Sequence, residues 1–275
     1  MNTHPATYQT VPYPKIRRAL AVMVGSAQRK HIIHGLLEVD VTRPRQYMRQ
    51  HKASTGETFS FTAFIIACLA RAVAEHPYLH ACRKGKKHLA LFEHVDVATA
   101  VEREMGAQKQ PIIYIIRAAD TKTLAEIHHE IRTAQAGKIA NLWTGFAKFQ
   151  WFTVVPLLLF RLLWPLFWRL RDTNPQVQKK YGGTVGVSAV GMFGKGGGWG
   201  IPISYHTLDL TLGGIAKKPG VVDGTIAIRE YLDLTLSINH DVVDGASAAR
   251  FAARLQDLVE SGAGLIAEDV ALARA

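Results

Sequence analysis

Residues 60–77 read SFTAFIIACLARAVAEHP, apolar over most of their length, opened by a serine suited to capping and closed at a proline. This pattern predicts a largely buried helix. Residues 121–137, TKTLAEIHHEIRTAQAG, place apolar side chains at helical spacing between a threonine cap and a terminal glycine, and predict a second helix. A third is predicted from about Ala246 to Ser261, and a basic one over residues 15–28. Alternation and branched side chains make residues 31–42, HIIHGLLEVDVT, a strand. LALFEHVDVATAVER supplies one or two more, followed by PIIYIIRAAD, GGTVGVSAVGMFG, LDLTLGGIA and TIAIREYLDLTLSIN. No repeat, low-complexity linker or shift of composition divides the chain, so residues 1–275 are expected to form a single α/β domain with a mostly antiparallel or mixed sheet.

The segment that starts at Trp151 and ends at Arg171 breaks this rhythm. Its apolar part, WFTVVPLLLFRLLWPLFW, approaches the ~20 residues that a bilayer core requires, but Pro156 and Pro165 interrupt it and Arg161 sits in its middle. A crossing here would also split one domain between two sides of a membrane, so none is expected. Arg161, Arg169 and Asp172 form one polar stripe among leucines and tryptophans. Three readings stay open: an amphipathic element lying on a membrane surface, a hydrophobic contact between subunits, or a lid over a lipophilic acyl group.

Composition narrows the setting. With 48% hydrophobic residues the 275-residue chain can bury a full core, and Cys68 and Cys82 are too few for a disulfide framework, which suits a reducing compartment. No secretory signal is visible in the first thirty residues, so a cytoplasmic location is expected, peripheral at the inner face of the membrane if the apolar arm meets lipid. A formal net charge of +11 implies an anionic partner: cofactor phosphates or lipid headgroups. Basic residues are scattered instead of interleaved with aromatics, which argues against nucleic acid. His31, His34, His128 and His129 have no cysteine or carboxylate cluster beside them in sequence, so no metal site is expected. GKGGGWG lacks the Lys-Ser/Thr pair of a phosphate-binding loop and is expected to be a flexible loop.

The candidate chemistry lies in LSINHDVVDGASAARF. A histidine at a strand exit is held by rigid backbone with its ring free to enter a cleft, which suits a general base, and the Asp-Gly allows a sharp turn into a helix. Spacing alone equally allows a core histidine followed by a turn.

NHDVVDGASAARF, however, resembles the H-x-x-x-D-G motif of the dihydrolipoamide acyltransferase catalytic domains of 2-oxo acid dehydrogenase complexes, which have the chloramphenicol acetyltransferase-like fold. KIRRALAVMV, SFTAFIIACLARAVAEHPYLHA, VDVATAVE, IIRAADTKTLAEIHHEI and GGTVGVSAVGMFG resemble further elements of that family in order, covering residues 13–137 and 182–262. The resemblance implies an α+β two-layer sandwich whose mixed sheet carries packed helices; where the family has a short connection, this chain is expected to insert an apolar helical arm at about residues 138–181. It implies His240 as general base, Ser188 as hydrogen-bond donor to the oxyanion, and Asp244 as support of the histidine loop through an ion pair with Arg17 or Arg18. Acyl-coenzyme A is the expected acyl donor. A homotrimer or a multiple of three is expected, with His240 and Asp244 of one protomer facing Ser188 of the next. Asp241 stands where the family usually has arginine and is expected to place negative charge beside the base. No lipoyl or subunit-binding domain is recognised, so lipoamide is not implied as acceptor. Two alternatives to a stand-alone CoA-dependent acyltransferase remain: a non-catalytic trimeric scaffold, and the core acyltransferase of a 2-oxo acid dehydrogenase complex served by lipoyl domains in trans.

Overall fold

The computed structural model describes residues 9–13, 21, 24, 30–85, 87–105, 108–137, 159, 162–166, 169, 174–191 and 194–265. Its elements run β1 (Ile32–Asp40), α1 (Thr42–Thr55), α2 (Phe61–Ala74), β2 (Cys82–Lys84), β3 (His88–Ala90), β4 (Val97–Met105), β5 (Gln108–Ile116), α3 (Leu124–Gln135), α4 (Pro175–Gly182), β6 (Val185–Ala189), β7 (Leu208–Val222), β8 (Thr225–Asn239) and α5 (Gly245–Ser261). Six strands form one sheet in the order β1-β8-β7-β6-β4-β5. The β6–β7 and β4–β6 pairs are parallel and the other three antiparallel, the mixed sheet expected from the sequence.

Alternation along the strands assigns the two faces. Leu208, Leu210 and Leu212 of β7, Leu232, Leu234, Leu236 and Ile238 of β8, and Val185 and Val187 of β6 are buried in one cluster with Phe64, Ile65, Ile66 and Leu69 of α2 and Phe251, Leu255 and Val259 of α5. The intervening residues Asp209, Thr211, Asp233, Thr235 and Ser237 therefore belong to the other face, and most of them are buried as well. Their cover is the chain between β6 and β7.

Caps explain the well-specified helices. Ser60 accepts from Ala63 N and starts α2, Asp244 accepts from Ser247 N and starts α5, and Thr123 with Glu126 forms a capping box at α3. The α3 cap is thus Thr123, with a short 3₁₀ turn at Ala119–Thr121 before it. Helix α1 is an element that the apolar pattern does not announce: only Pro44 and His51 of its residues are buried, and its N-cap Val41 makes no side-chain bond. The basic helix expected over 15–28 lies outside the described residues except for Ala21 and Val24, which are helical. Much of the apolar arm also lies outside them. Among the described residues no helix is long and apolar enough to cross a membrane.

The glycine-rich stretch is not the flexible loop expected from its composition. Gly214 N donates to Gly198 O at 2.9 Å, Gly198 N donates to the buried Asp233 carboxylate, and Trp199 Nε1 donates to Leu37 O at 3.1 Å. The register between β7 and β8 shifts between Leu212 and Ile215, and the loop backbone presses onto the Gly213–Gly214 bulge there. A Cβ on Gly213 would lie 2.8 Å from Asp233 O and closer still to Gly198 O, both rigid backbone atoms. Glycine serves here for close approach, not for mobility. Gly213→Ala is expected to destabilise the protein by about 2–3 kcal/mol through overpacking, read as a lower urea midpoint at unchanged m-value.

Candidate functional site

The sheet delivers His240 by continuing its own ladder. β8 ends at Asn239, and the next residue still pairs with the strand beside it, His240 N donating to His31 O at 2.8 Å. The chain then folds around the buried Asn239: Asp241 N donates to Asn239 Oδ1, and Val242 N and Val243 N donate to Asn239 O, each at 3.1 Å. Val243 is buried beneath the turn. The result is an exposed imidazole on a turn whose four successive backbone donors are all satisfied.

Asp244 follows as the N-cap of α5, its Oδ1 accepting from Ser247 N at 2.7 Å and its Oδ2 from Ser247 Oγ at 3.3 Å. The Ser247 backbone N–H, then the Ser247 hydroxyl, lower the carboxyl from its ordinary value. Both oxygens thus have local partners. Arg17 and Arg18, the expected ion-pair partners, lie outside the described residues. Asp241 does not place its carboxylate on His240; it meets His31 instead, Nδ1 to Oδ1 2.7 Å. The expected negative charge is therefore shared with a neighbouring imidazole.

Ser188 lies near the end of β6, half-buried, in register with Thr211 of β7, which in turn pairs with Thr235 of β8. A brace that the sequence pattern does not reveal holds this strand. His206 Nδ1 is 2.6 Å from Asp209 Oδ1 and His206 Nε2 is 2.7 Å from Gly182 O, while Asp209 Oδ2 accepts from Ser204 Oγ at 2.6 Å, Tyr205 N at 2.8 Å and His206 N at 3.0 Å. Burial pushes the Asp209 carboxyl up, but the His206 charge and these hydrogen bonds outweigh it and hold it well below the usual carboxylate range. Gly186, two residues before Ser188, pairs with Asp209, and a Cβ there would lie 2.9 Å from His206 Nδ1. The brace thus packs directly against the strand that presents the serine.

Within one chain Ser188 and His240 do not meet. The rung through Ser188 crosses to Thr235, and His240 is five residues further along β8, about 17 Å along the strand and about 10 Å across it. A cavity of about 550 Å³ is lined by Arg45, Phe61, Ala189, Gly213, Lys217 and Glu230, and neither Ser188 nor His240 lines it. Three of the four histidines named above are used singly: His31 on Asp241, His34 on Ser237 Oγ at 2.9 Å, and His128 Nδ1 accepting from Ser60 N at 2.9 Å. Among the described residues no three His, Cys, Asp or Glu side chains gather as a metal-ligand group.

The sequence profile of the 2-oxoacid dehydrogenases acyltransferase (catalytic domain) family matches residues 5–141 and 165–267. The chain belongs to this family. The interval between the two matched blocks, residues 142–164, falls inside the stretch of about 138–181 expected as an inserted arm. Among curated acyltransferase relatives, the lipoamide acyltransferase component of the branched-chain alpha-keto acid dehydrogenase complex of Bacillus subtilis is 27% identical over 91% of this chain and 52% of its own length. The dihydrolipoyllysine-residue acetyltransferase component of the pyruvate dehydrogenase complex of Zymomonas mobilis is 26% identical over 97% of this chain and 53% of its own. The chain therefore spans about half the length of these relatives.

Solved acyltransferase cores share the fold. A probable dihydrolipoamide acetyltransferase from Listeria monocytogenes superposes with a TM-score of 0.65 at 24% identity, covering 92% of this chain and 95% of that one. The dihydrolipoamide acetyltransferase of Azotobacter vinelandii, studied for the role of a serine, a histidine and an asparagine in its catalytic mechanism, superposes at 0.66 with 19% identity over 97% of this chain and all of that one. The mixed sheet with helices on one face is the architecture of this family.

The brace yields a pH prediction. Because the folded-state pKa of Asp209 is depressed, its contribution is fully present above the ordinary carboxylate value and is lost as pH falls below about 4. Asp209→Asn is expected to lose about 3–5 kcal/mol at pH 7, the cost of breaking a buried pair. Denaturant titrations should show the gap to the parent narrowing below about pH 4; a gap constant from pH 7 to 3 contradicts this assignment.

Proposed function

We propose that the chain is an acyltransferase moving an acyl group between coenzyme A and a thiol or hydroxyl acceptor, with each site shared between two copies in a homotrimer or a multiple of three. The observation that carries the proposal is the placement of Ser188, His240 and Asp244. They keep the same two intervals along the chain as the serine, histidine and asparagine studied in the Azotobacter enzyme, and the strand exit leaves His240 exposed and firmly based. Their separation within one chain is what a site completed by a neighbour requires. A core of the same fold, from the pyruvate dehydrogenase complex, is described as cubic, which suits assembly in multiples of three.

In this reading the His240 imidazole takes the proton from the acceptor as its sulfur or oxygen adds to the thioester carbonyl. The Ser188 hydroxyl of the neighbouring copy donates a hydrogen bond to the resulting oxyanion. Collapse of the tetrahedral adduct breaks the bond to sulfur, and the leaving coenzyme A thiolate recovers the proton from the imidazolium. Asp244 keeps the turn in place by fixing the start of α5, with Arg17 or Arg18 as further support. The net charge of +11 suits the phosphates of coenzyme A. The names of the relatives favour a dihydrolipoyl thiol as acceptor, the complex-core alternative noted above.

A mixing experiment tests the shared site. His240→Ala and Ser188→Ala homo-oligomers, assayed with acetyl-coenzyme A and dihydrolipoamide, are each expected to lose about 10²–10³-fold in kcat. Co-assembled at equal ratio, they should recover about a quarter of the parental rate, because one in four random interfaces joins an intact His240 to an intact Ser188. No recovery in verified mixed trimers defeats the shared site, and full activity of His240→Ala favours the scaffold.

A specific observation also favours contact with a membrane surface, which in a cytoplasmic protein would be the inner face. Leu159, Leu162, Leu163 and Leu166 are helical, follow one another at helical spacing and expose 44–72% of their surface, in a strongly basic protein. Flotation with anionic liposomes should carry the parent upward, and changing all four leucines to serine should leave it at the bottom. Retention of the parent in the soluble fraction assigns the stripe to a subunit contact or an acyl lid.

A further inference from the structure

We infer that His31 is a positioning residue for His240, acting through Asp241. The inference rests on the reading of His240 as the base. One residue at the start of β1 grips the turn on both sides of that histidine: its carbonyl accepts the His240 N–H at 2.8 Å, and its Nδ1 lies 2.7 Å from Asp241 Oδ1. Asp241 is an acceptor only, so Nδ1 carries the proton in this contact and Nε2 faces outward.

The reason such a grip matters is that the His240 ring has no partner of its own among the described residues. Its direction is set by the backbone of the turn, and the turn is held by Asn239 from within and by His31 from outside. Among the described residues, Lys30 and Asp244, the charged groups flanking this pair in sequence, are engaged elsewhere. Lys30 Nζ donates to Tyr205 O at 2.6 Å, and both Asp244 oxygens belong to Ser247. His31 and Asp241 are therefore each other's side-chain partner. The pair is open to solvent, with side-chain exposures of 83% and 30%, so it adds little to global stability. A displacement of about 1 Å at a catalytic group can nevertheless cost up to about 10²-fold in rate. The pair thus holds geometry at the place where geometry counts, and does so with a residue far from His240 in sequence.

The test uses the full assembled protein with acetyl-coenzyme A and dihydrolipoamide, and compares His31→Ala, Asp241→Ala, the double variant and His31→Gln, with His240→Ala as the inactive reference. Each alanine variant is expected to lower kcat about five- to tenfold with KM changed less than about twofold and the melting temperature nearly constant, and the double variant should be no slower than the slower single, the signature of one shared interaction. His31→Gln, which keeps a donor, should recover most of the rate. Hydrogen exchange across residues 239–244 should quicken in both single variants, a readout that needs no activity. Unchanged kcat in both single variants, multiplicative losses in the double, or unchanged exchange overturns the positioning role. If the parent itself is no faster than His240→Ala, the functional reading fails, and the exchange measurement alone then decides whether His31 holds the turn.

Discussion

The antiparallel ladder between β7 and β8 is the constraint on which the remaining geometry depends. Both strands are fifteen residues long and close through a tight turn at Asp223 and Gly224, whose positive φ values of 49° and 78° match the twist of a two-residue hairpin. That turn fixes the register as far as Ile215, the Gly213–Gly214 bulge then shifts it by one residue, and any further one-residue slip exchanges the faces of every side chain. Leu232, Leu234, Leu236 and Ile238 then face the helices, and Asp233, Thr235 and Ser237 face the other way. The same register sets the height at which β8 releases His240 and the height at which β7 meets Ser188 through Thr211.

The polar face is the unusual half of this design. A sheet buried on both sides ordinarily carries apolar residues on both, whereas here Thr211 Oγ1, Thr235 Oγ1 and Asp233 Oδ1 are buried without a hydrogen-bond partner among the described residues. Lys218 Nζ, 3.7 Å from Asp233 Oδ1, balances part of that charge. The glycine loop reaches this face because its residues have no side chains to hold it off, and Asp233 ties it down through Gly198 N. Ser188 shares its rung with Thr211 and Thr235 on this face, so the serine stands beside fixed backbone and polar atoms in place of apolar core.

Much of the frame was legible because its signals are local. The Ser60 cap and the apolar run of α2 are sequence features that the structure uses as read, and the turn read at Asp244 and Gly245 does open α5, with Asp244 as its N-cap. Helix α1 was not legible because it buries little and lacks a capping side chain. The glycine loop misled because composition cannot distinguish a backbone that is free from one that is tightly opposed. Ser204, His206 and Asp209 are close in sequence but carry no periodic signal, while the His206 contact to Gly182 and the reach of His31 to Asp241 across most of the chain fall in no single window. His240, Ser188 and Asp244 were singled out through family resemblance, and no periodicity relates them, since a strand end, a strand interior and a helix cap have different rules.

The far end of the β7–β8 ladder has a colloidal consequence. Beyond the reach of β1 and β6, the hairpin extends past Pro219 with Val221, Ile226 and Ile228 each more than three-quarters exposed. Such a ribbon offers branched apolar side chains and unpaired backbone groups together, the combination that recruits other extended chains. A newly made protomer is therefore sticky from the moment it folds. Until something covers the ribbon, its open edge is a liability for association that grows with concentration and involves no change in the fold of the individual chain.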